Sequence, residues 1–161
     1  MLKPDCVAVF AFPAEKSPHI VLKLVARGFA WDVALVPLNP VDESFRSFEK
    51  QVLPEIIRRG GAVFGTTPMA GGAIPGCTVV KAEDSFRYIW SLPVSCVLAG
   101  CETSAAVKKA GQVATTYPPF HAGEMDAVRQ KARAMAGDGR FERYKTTQDF
   151  DSAAGRAVHG F

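Results

Sequence analysis

The stretch Arg59-Gly60-Gly61-Ala62-Val63-Phe64-Gly65-Thr66-Thr67-Pro68-Met69-Ala70-Gly71-Gly72-Ala73 decides the fold of this chain. It predicts the end of a helix, a short strand and a glycine-rich loop at the strand's carboxyl end. Gly60 and Gly61 can adopt the left-handed conformation that ends helices. Residues 62–64 form a short apolar run, as in strands buried on both faces. Pro68 then ends the strand, because proline cannot donate to a sheet ladder.

Three further apolar runs, residues 6–12, 33–36 and 95–100, also predict strands. With residues 62–64 they recur roughly every thirty residues, the usual size of one βα unit. Helices are predicted between them at residues 18–28, 54–59, 82–90 and 103–114, the last starting at Thr103 or Ser104. Alternating strands and helices imply a parallel sheet covered by helices. The pattern therefore predicts an α/β fold of four parallel βα units, either as an open sheet or as half of an eightfold barrel.

The pattern changes after residue 120. Residues 121–136 predict an amphipathic helix with Met125, Val128 and Ala132 on one face. Residues 140–161 show little periodicity, but their aromatic side chains favour a strap docked on the surface over a disordered tail. Those side chains are Phe141, Tyr144, Phe150 and Phe161. We therefore divide the chain into βα units at 1–120 and a C-terminal helix with an extended strap at 121–161.

Composition excludes several classes of function. The net charge of +3 is small and the basic residues are scattered, so we expect no nucleic-acid partner. No apolar run is long enough to cross a membrane, and Lys3, Pro4 and Asp5 interrupt any secretory signal. The four cysteines have no CxxC spacing, and we expect reduced, mostly buried thiols in a cytoplasmic protein. They are Cys6, Cys77, Cys96 and Cys101.

The histidines do not predict catalysis or metal binding. His19 lies within a predicted helix, His121 at a helix start and His159 in the tail. None of them follows a strand, where α/β folds build their sites. No two histidines or cysteines share a metal-ligand spacing. We expect three surface histidines and no metal site.

Anion binding is better supported by the loops after the third and fourth predicted strands. Gly71 and Gly72 expose backbone amides to close approach by a ligand. Residues 100–104 run directly into a helix, whose N-terminal amides and dipole suit an anion. Glu102 opposes this, because a carboxylate there would repel phosphate or occupy the site itself. Simple capping of the helix by Thr103 or Ser104 is the alternative interpretation.

Motifs in these segments resemble the C-terminal half of the aldo/keto reductases, NADP(H)-dependent enzymes built on a (β/α)8 barrel. Residues 32–39 look like the family's sixth strand, and residues 47–54 like the helix after it. Gly65-Thr66-Thr67-Pro68-Met69-Ala70-Gly71-Gly72 is similar to the seventh-strand pattern G-M-K-P-L-G-G-G. Residues 92–100 resemble the eighth strand. Residues 138–147, with Phe150-Asp151, resemble the tail of one bacterial-type subgroup.

The resemblance implies half of a TIM barrel, comprising strands five to eight and the C-terminal tail, with a weakened NADP(H) site. Phe12-Pro13-Ala14 stands where the family usually has a polar pair that binds the carboxamide. Leu35 replaces the usual glutamine of the sixth strand, and Thr67 replaces a lysine. Ala105-Ala106 falls where an arginine usually contacts the adenosine phosphate, and we expect Lys108 and Lys109, within a turn of it, to substitute in part. The cofactor-binding residues implied are Thr67, Pro68, Met69, Gly71, Gly72, Gly100, Cys101, Thr103, Ser104 and Lys108.

The resemblance also implies that catalytic residues are missing from this chain. The family's Asp, Tyr, Lys and His lie on the first four strands, upstream of these segments. We therefore expect no turnover by the chain alone, and a partner that is either an N-terminal half-barrel or a second copy joined through open sheet edges. Val9, Val63 and Phe64 are expected to be too exposed in a monomer. A phosphate-binding module for another ligand is the remaining alternative.

Overall fold

A computed structural model describes residues 11–13 and 16–147 of the chain. Its sheet has four parallel strands: β1 (Ala11–Pro13), β2 (Val33–Pro37), β3 (Ala62–Thr66) and β4 (Cys96–Val97). These are the four strands that the sequence predicts, although residues 6–10 of the first lie outside the described residues. Pro13 and Pro37 are each the last residue of their strand, where a missing amide disturbs the ladder least.

Strand order decides between the open sheet and the half-barrel. The strands lie side by side in the order β1-β2-β3-β4. Each strand lies next to the one before it, always on the same side. Because crossovers between parallel strands are right-handed, this order places every connecting helix on the same face of the sheet. A doubly wound sheet would instead reverse direction at a switch point. The fold is therefore α/β, half of a (β/α)8 barrel whose sheet is not closed.

The helices lie close to their predicted positions. Those between the strands are α1 (Pro18–Ala26), α2 (Phe48–Gln51), α3 (Leu53–Arg58) and α4 (Ala82–Trp90), and after β4 come α5 (Ser104–Thr116), α6 (Ala122–Ala136) and α7 (Arg143–Thr146). Gly28 and Gly60 follow α1 and α3 with φ of 81°. Only glycine adopts this conformation without strain, which explains why both helices end there.

The two faces of the sheet differ in burial. Ala34, Val36 and Val63 point towards the helices and belong to the main hydrophobic core. Leu35 pairs with Phe64, and because side chains alternate along a strand, both point to the opposite face, where they are half-buried. The prediction that β3 is buried on both faces is therefore wrong. So is the expected exposure of Val63, which is 1% exposed, while Val9 lies outside the described residues.

The fourth strand is shorter and more exposed than residues 95–100 predict. It has a neighbour on one side in the sheet, and edge strands gain fewer ladder bonds. Leu98 is 41% exposed and Cys96 is exposed. Cys77 and Cys101 are half-buried, and all three are free thiols. The expectation of mostly buried cysteines is thus wrong for these three, and Cys6 lies outside the described part.

The C-terminal helix carries the predicted apolar face. Met125, Val128 and Ala132 of α6 are all buried in the core. In the following segment Glu142 and Lys145 are both 1% exposed, whereas Arg140, Arg143 and Thr146 are exposed. Buried side chains therefore anchor this segment to the rest of the protein. Phe150 and Phe161 of the predicted strap lie outside the described residues. The division of the chain at residue 120 stays a prediction.

Among the helices of residues 16–147, none is long and apolar enough to cross a membrane.

Candidate functional site

A cavity of about 750 Å³ opens at the carboxyl ends of β3 and β4. This volume is within the range of small-molecule and cofactor sites. The loop after β3 and the start of α4 form one wall, while the loop after β4 and the first turns of α5 form the other. The lining residues are Thr67, Pro68, Met69, Gly71, Gly72, Pro75, Ala82, Phe86, Gly100, Cys101, Glu102, Thr103, Ala106 and Lys109.

The structure brings together eight of the ten cofactor-binding residues implied by the resemblance. They are Thr67, Pro68, Met69, Gly71, Gly72, Gly100, Cys101 and Thr103. Ser104 and Lys108 lie on α5 but do not line the cavity. Ligand binding by any of these residues stays a prediction.

Helix α4 supplies a part of the wall that the sequence pattern does not predict. Phe86 and Ala82 of this helix line the cavity, together with Pro75 of the preceding loop. Phe86 was recognisable as part of the apolar face of α4, but such a face usually marks the core. Its position at the cavity depends on how α4 packs against α5, which local pattern does not reveal.

The glycine loop presents bare backbone to the cavity. Gly71 and Gly72 have φ of 66° and 91°, and a Cβ atom added to either would meet nothing within 4 Å. The same open space lies beside Gly100. A ligand can therefore approach the main chain at three positions.

Thr67 and Ala70 adopt the left-handed conformation without being glycine, with φ of 50° each. Such a conformation costs roughly 1–2 kcal/mol per residue, and the cost is largest for a β-branched side chain such as threonine. Burial of Ala70 in the core and a hydrogen bond from the Ser85 hydroxyl to the Pro68 carbonyl hold the loop in place. Strain of this kind clusters at ligand sites.

The N-terminus of α5 forms the other wall. Thr103 is its N-cap, and the Thr103 side-chain oxygen accepts a hydrogen bond from the Ala106 amide at 3.1 Å. Of the two predicted capping residues, Thr103 is therefore the one used. The cap occupies one amide of the first turn, and the dipole of this 13-residue helix still favours negative charge at its start.

The charged side chains of the cavity wall are Glu102 and Lys109. Lys109 is already paired, because its Nζ lies 2.6 Å from Oε1 of Glu83 on α4. The hydrogen bond to Glu83 raises the pKa of Lys109, and the same bond lowers the pKa of Glu83. The pair is therefore ionised at neutral pH, and the lysine brings no uncompensated positive charge to the cavity.

Thr67 connects the cavity to a buried charged cluster. Its Oγ1 is buried and forms no well-aligned hydrogen bond with any described residue. It nevertheless lies close enough to the Tyr144 hydroxyl to lower the pKa of Tyr144 slightly against the larger effects that raise it. The Tyr144 hydroxyl donates to Glu142. A buried hydroxyl without a full set of partners is the kind of group that a ligand can satisfy.

The centre of that cluster is Lys145. Its Nζ lies 2.6 Å from Oδ1 of Asp42, also contacts Oε2 of Glu142, and donates to the Phe45 carbonyl at 3.0 Å. Asn39 Nδ2 donates to Oε1 of Glu142 at 2.9 Å. The cluster thus fastens α7 to the loop after β2.

Asp42 is the most heavily bonded member of the cluster. Besides Lys145, it accepts hydrogen bonds from the Ser47 hydroxyl at 2.8 Å and from the amides of Phe48 and Glu49 at 3.1 and 2.9 Å. The amides belong to the first turn of α2, where a carboxylate is favoured. Asp42 therefore organises both the start of α2 and the seat of α7.

Asp42, Tyr144 and Lys145 are residue types that can act in catalysis, but the environment of the cluster does not suit that role. Burial and the neighbouring Glu142 carboxylate raise the pKa of Tyr144 well above its usual value. A general acid works best with a pKa near the working pH, whereas the pKa of Tyr144 is raised away from it. We interpret the cluster as a structural clamp.

A second buried network joins three helices. The Tyr88 hydroxyl of α4 donates to Oε2 of Glu49 at 2.6 Å, and Arg129 of α6 donates to that hydroxyl at 3.0 Å and to Oε1 of Glu49 at 2.7 Å. Burial, reinforced by the Glu49 carboxylate, raises the pKa of Tyr88. The network positions α4, and therefore the Phe86 wall of the cavity.

These two tyrosines predict a loss of stability at alkaline pH. An unfolded tyrosine ionises near pH ~10, whereas folded Tyr88 and Tyr144 retain their protons to higher pH. The unfolded chain therefore binds fewer protons than the native protein above that pH, and stability falls as pH rises. Below pH ~10, both tyrosines are protonated in the folded and the unfolded chain, so their contribution to stability is fully present.

Tyrosinate absorbance and near-ultraviolet circular dichroism, followed together as pH is raised, test this. We expect the two buried tyrosines to ionise in one cooperative step together with loss of the folded signal. Tyr117→Phe, which removes an exposed ring, should leave the pH of that step unchanged. Gradual ionisation of all three tyrosines before unfolding would contradict the burial of these hydroxyls.

No group of three or more potential metal ligands occurs in the part of the chain that the structure describes. His19 is exposed on α1. His121 is the N-cap of α6, and its side chain is 77% exposed. His159 lies outside the described residues.

Comparison with known proteins shows that the fold is similar to solved structures of an aldo-keto reductase. No family model matches the sequence, and no curated protein sequence matches it. The fold is similar to that of aldo-keto reductase AKR11C1 from Bacillus halodurans in its holo form, with a TM-score of 0.60 and 16% identity. The apo form of that protein gives a TM-score of 0.58 and 17% identity.

The similarity extends over most of this chain but only part of the solved structures. It covers 83% of this chain and 53% of the holo structure, and 81% and 52% for the apo structure. This chain therefore spans about half the length of the structures it matches. At this identity the likeness shows the fold, and it agrees with the resemblance read from the motifs.

Proposed function

We propose that this chain is the cofactor-binding C-terminal half of an aldo/keto reductase barrel, and that its cavity binds a nicotinamide dinucleotide, NADP(H) being the form the resemblance implies. The observation that carries the proposal is the position of the cavity, between a glycine loop after β3 and the helix that follows β4. In (β/α)8 barrels, phosphate sites commonly form at the loops after the last two strands, together with a helix N-terminus.

The backbone of the cavity fits such a ligand. Open space beside Gly71, Gly72 and Gly100 would let a pyrophosphate approach the main chain. A bound dinucleotide supplies the hydride for carbonyl reduction, and the protein binds and orients it.

The general acid is proposed to come from another polypeptide segment. Tyr88 and Tyr144 donate to buried carboxylates and have raised pKa values. Leu35 and Phe64, on the face of the sheet away from the helices, are only half-buried. We propose that an N-terminal half-barrel, or a second copy of this chain, covers that face.

The free thiols of Cys77, Cys96 and Cys101 support a cytoplasmic setting.

Nicotinamide fluorescence during titration with NADPH, with carbonyl reduction assayed in parallel, tests the proposal. We expect the chain alone to bind without turnover, and turnover to appear when an N-terminal half of an aldo/keto reductase is added. Turnover by the isolated chain would disprove its dependence on a second half. Sedimentation of a clean monomer at micromolar concentration would count against association of two copies.

A further inference from the structure

The cavity carries an unbalanced set of charges. Glu102 directly precedes the cap of α5, is exposed, and forms no ion pair with another described residue. Lys109, the positively charged residue of the wall, lies against Glu83. Lys81, just before α4, also lies near enough to lower the pKa of Glu83. Of the two charged side chains that line the cavity, Glu102 is therefore the one whose charge no described partner offsets.

Recruiting Lys109 to a ligand phosphate would still leave the Glu102 carboxylate at the cavity without a partner. The Glu83–Lys109 pair is partly exposed, with side chains 30% and 51% accessible, so the lysine can leave it at small cost. The Glu83 carboxylate would then keep Lys81 as its nearby positive charge. Lys108 is the next positive charge along α5, and it does not line the cavity.

The two nicotinamide dinucleotides differ at one group, which is a 2′-hydroxyl in NAD(H) and a 2′-phosphate in NADP(H). Both share the pyrophosphate that backbone amides can bind. A carboxylate accepts hydrogen bonds from ribose hydroxyls, whereas a 2′-phosphate requires a cation such as arginine. A carboxylate next to a phosphate instead adds like-charge repulsion.

We infer that the cavity takes NAD(H) in preference to NADP(H), and that Glu102 is the residue that selects between them. The inference rests on the proposed function, since it requires a dinucleotide in the cavity. It replaces the phosphate-bearing form implied by the resemblance with the form that the charges of this chain favour.

Fluorescence titration of the full chain with NADH and with NADPH tests the selection. We expect NADH to bind at least about tenfold more tightly at low ionic strength, because like charges near a protein surface are only partly screened. Raising the salt concentration should lower the ratio of the NADPH and NADH dissociation constants. Glu102→Gln should lower this ratio too, mainly by strengthening NADPH binding.

Two further variants locate the effect. Glu83→Gln frees Lys109 and should also strengthen NADPH binding. Glu55→Gln makes the same change of charge near the other end of β3, where Glu55 contacts Arg58 and Arg59 of the preceding helix region. This control should leave the ratio of the two affinities unchanged.

The outcomes separate the inference from the proposed function. Equal or tighter binding of NADPH would overturn the preference while leaving the dinucleotide site intact. A preference for NADH that persists in Glu102→Gln would overturn the role of Glu102. Failure of both dinucleotides to bind would overturn the proposed function and the inference together.

Discussion

Replacing Lys145 with methionine should lower the free energy of unfolding by about 3–5 kcal/mol, the usual cost of leaving a buried charge without its partner. The side chains of Lys145 and Asp42 are both 0% exposed, and Glu142 is the second carboxylate on the same ammonium group. Without the ammonium, two buried carboxylates face each other. Methionine fills a similar volume, so the charge is the main difference.

Arg140→Met is the matched control for this substitution. Arg140 Nε lies 3.0 Å from Oδ2 of Asp138, but both side chains are largely exposed. Exposed pairs contribute roughly 0–1 kcal/mol, so chemical denaturation should show little change. Equal losses in the two variants would contradict the clamp.

A second-site variant keeps the test informative if Lys145→Met folds poorly. Burial, opposed in part by Lys145, raises the pKa of Glu142. Adding Glu142→Gln to Lys145→Met removes one of the two stranded carboxylates and should recover part of the lost stability. No recovery would show that the loss does not arise from unpaired charge.

Replacing Gly139 with alanine should cost about 2–4 kcal/mol, through backbone strain and overpacking together. Gly139 has φ of 74°, and a Cβ atom there would lie 2.5 Å from Cδ1 and 2.8 Å from Cε1 of the Phe45 ring. Cγ of the ring would also lie 2.9 Å from the added Cβ atom, so rotation of the ring about its Cβ–Cγ bond would not relieve the clash. Thermal and chemical denaturation of the variant measure the loss.

Gly137→Ala is the control, two residues earlier. Gly137 has φ of −63°, and a Cβ atom there would meet nothing within 4 Å. The same substitution should therefore be neutral or stabilise by up to about 1 kcal/mol, because alanine restricts the unfolded chain. A loss at Gly137 comparable to that at Gly139 would rule out a specific contact with Phe45.

Local pattern was sufficient where the cause of the structure is local. Gly28 and Gly60 end helices because their conformation excludes other residues, and both positions were predictable from the glycine itself. The apolar face of α6 follows from the spacing of Met125, Val128 and Ala132. The two loops of the cavity were also predictable, because parallel strands place their carboxyl ends at one edge of the sheet.

Local pattern was not sufficient for contacts between distant segments. Lys145 and Asp42 are separated by 103 residues, and each resembles an ordinary surface charge when considered alone. Tyr88 and Glu49 are 39 residues apart. Burial of such groups depends on which partners the fold brings near, because an unpaired buried charge is strongly disfavoured.

The sequence by itself determined the alternation of strands and helices, the helix ends and the two loops that face each other across the cavity. Tertiary structure alone decided that β3 is covered on one face, that Lys145 is buried between Asp42 and Glu142, and that Glu83 neutralises Lys109. The physical reason is range. Backbone conformation and periodicity act over a few residues, whereas burial and charge pairing depend on side chains that only the folded chain brings together.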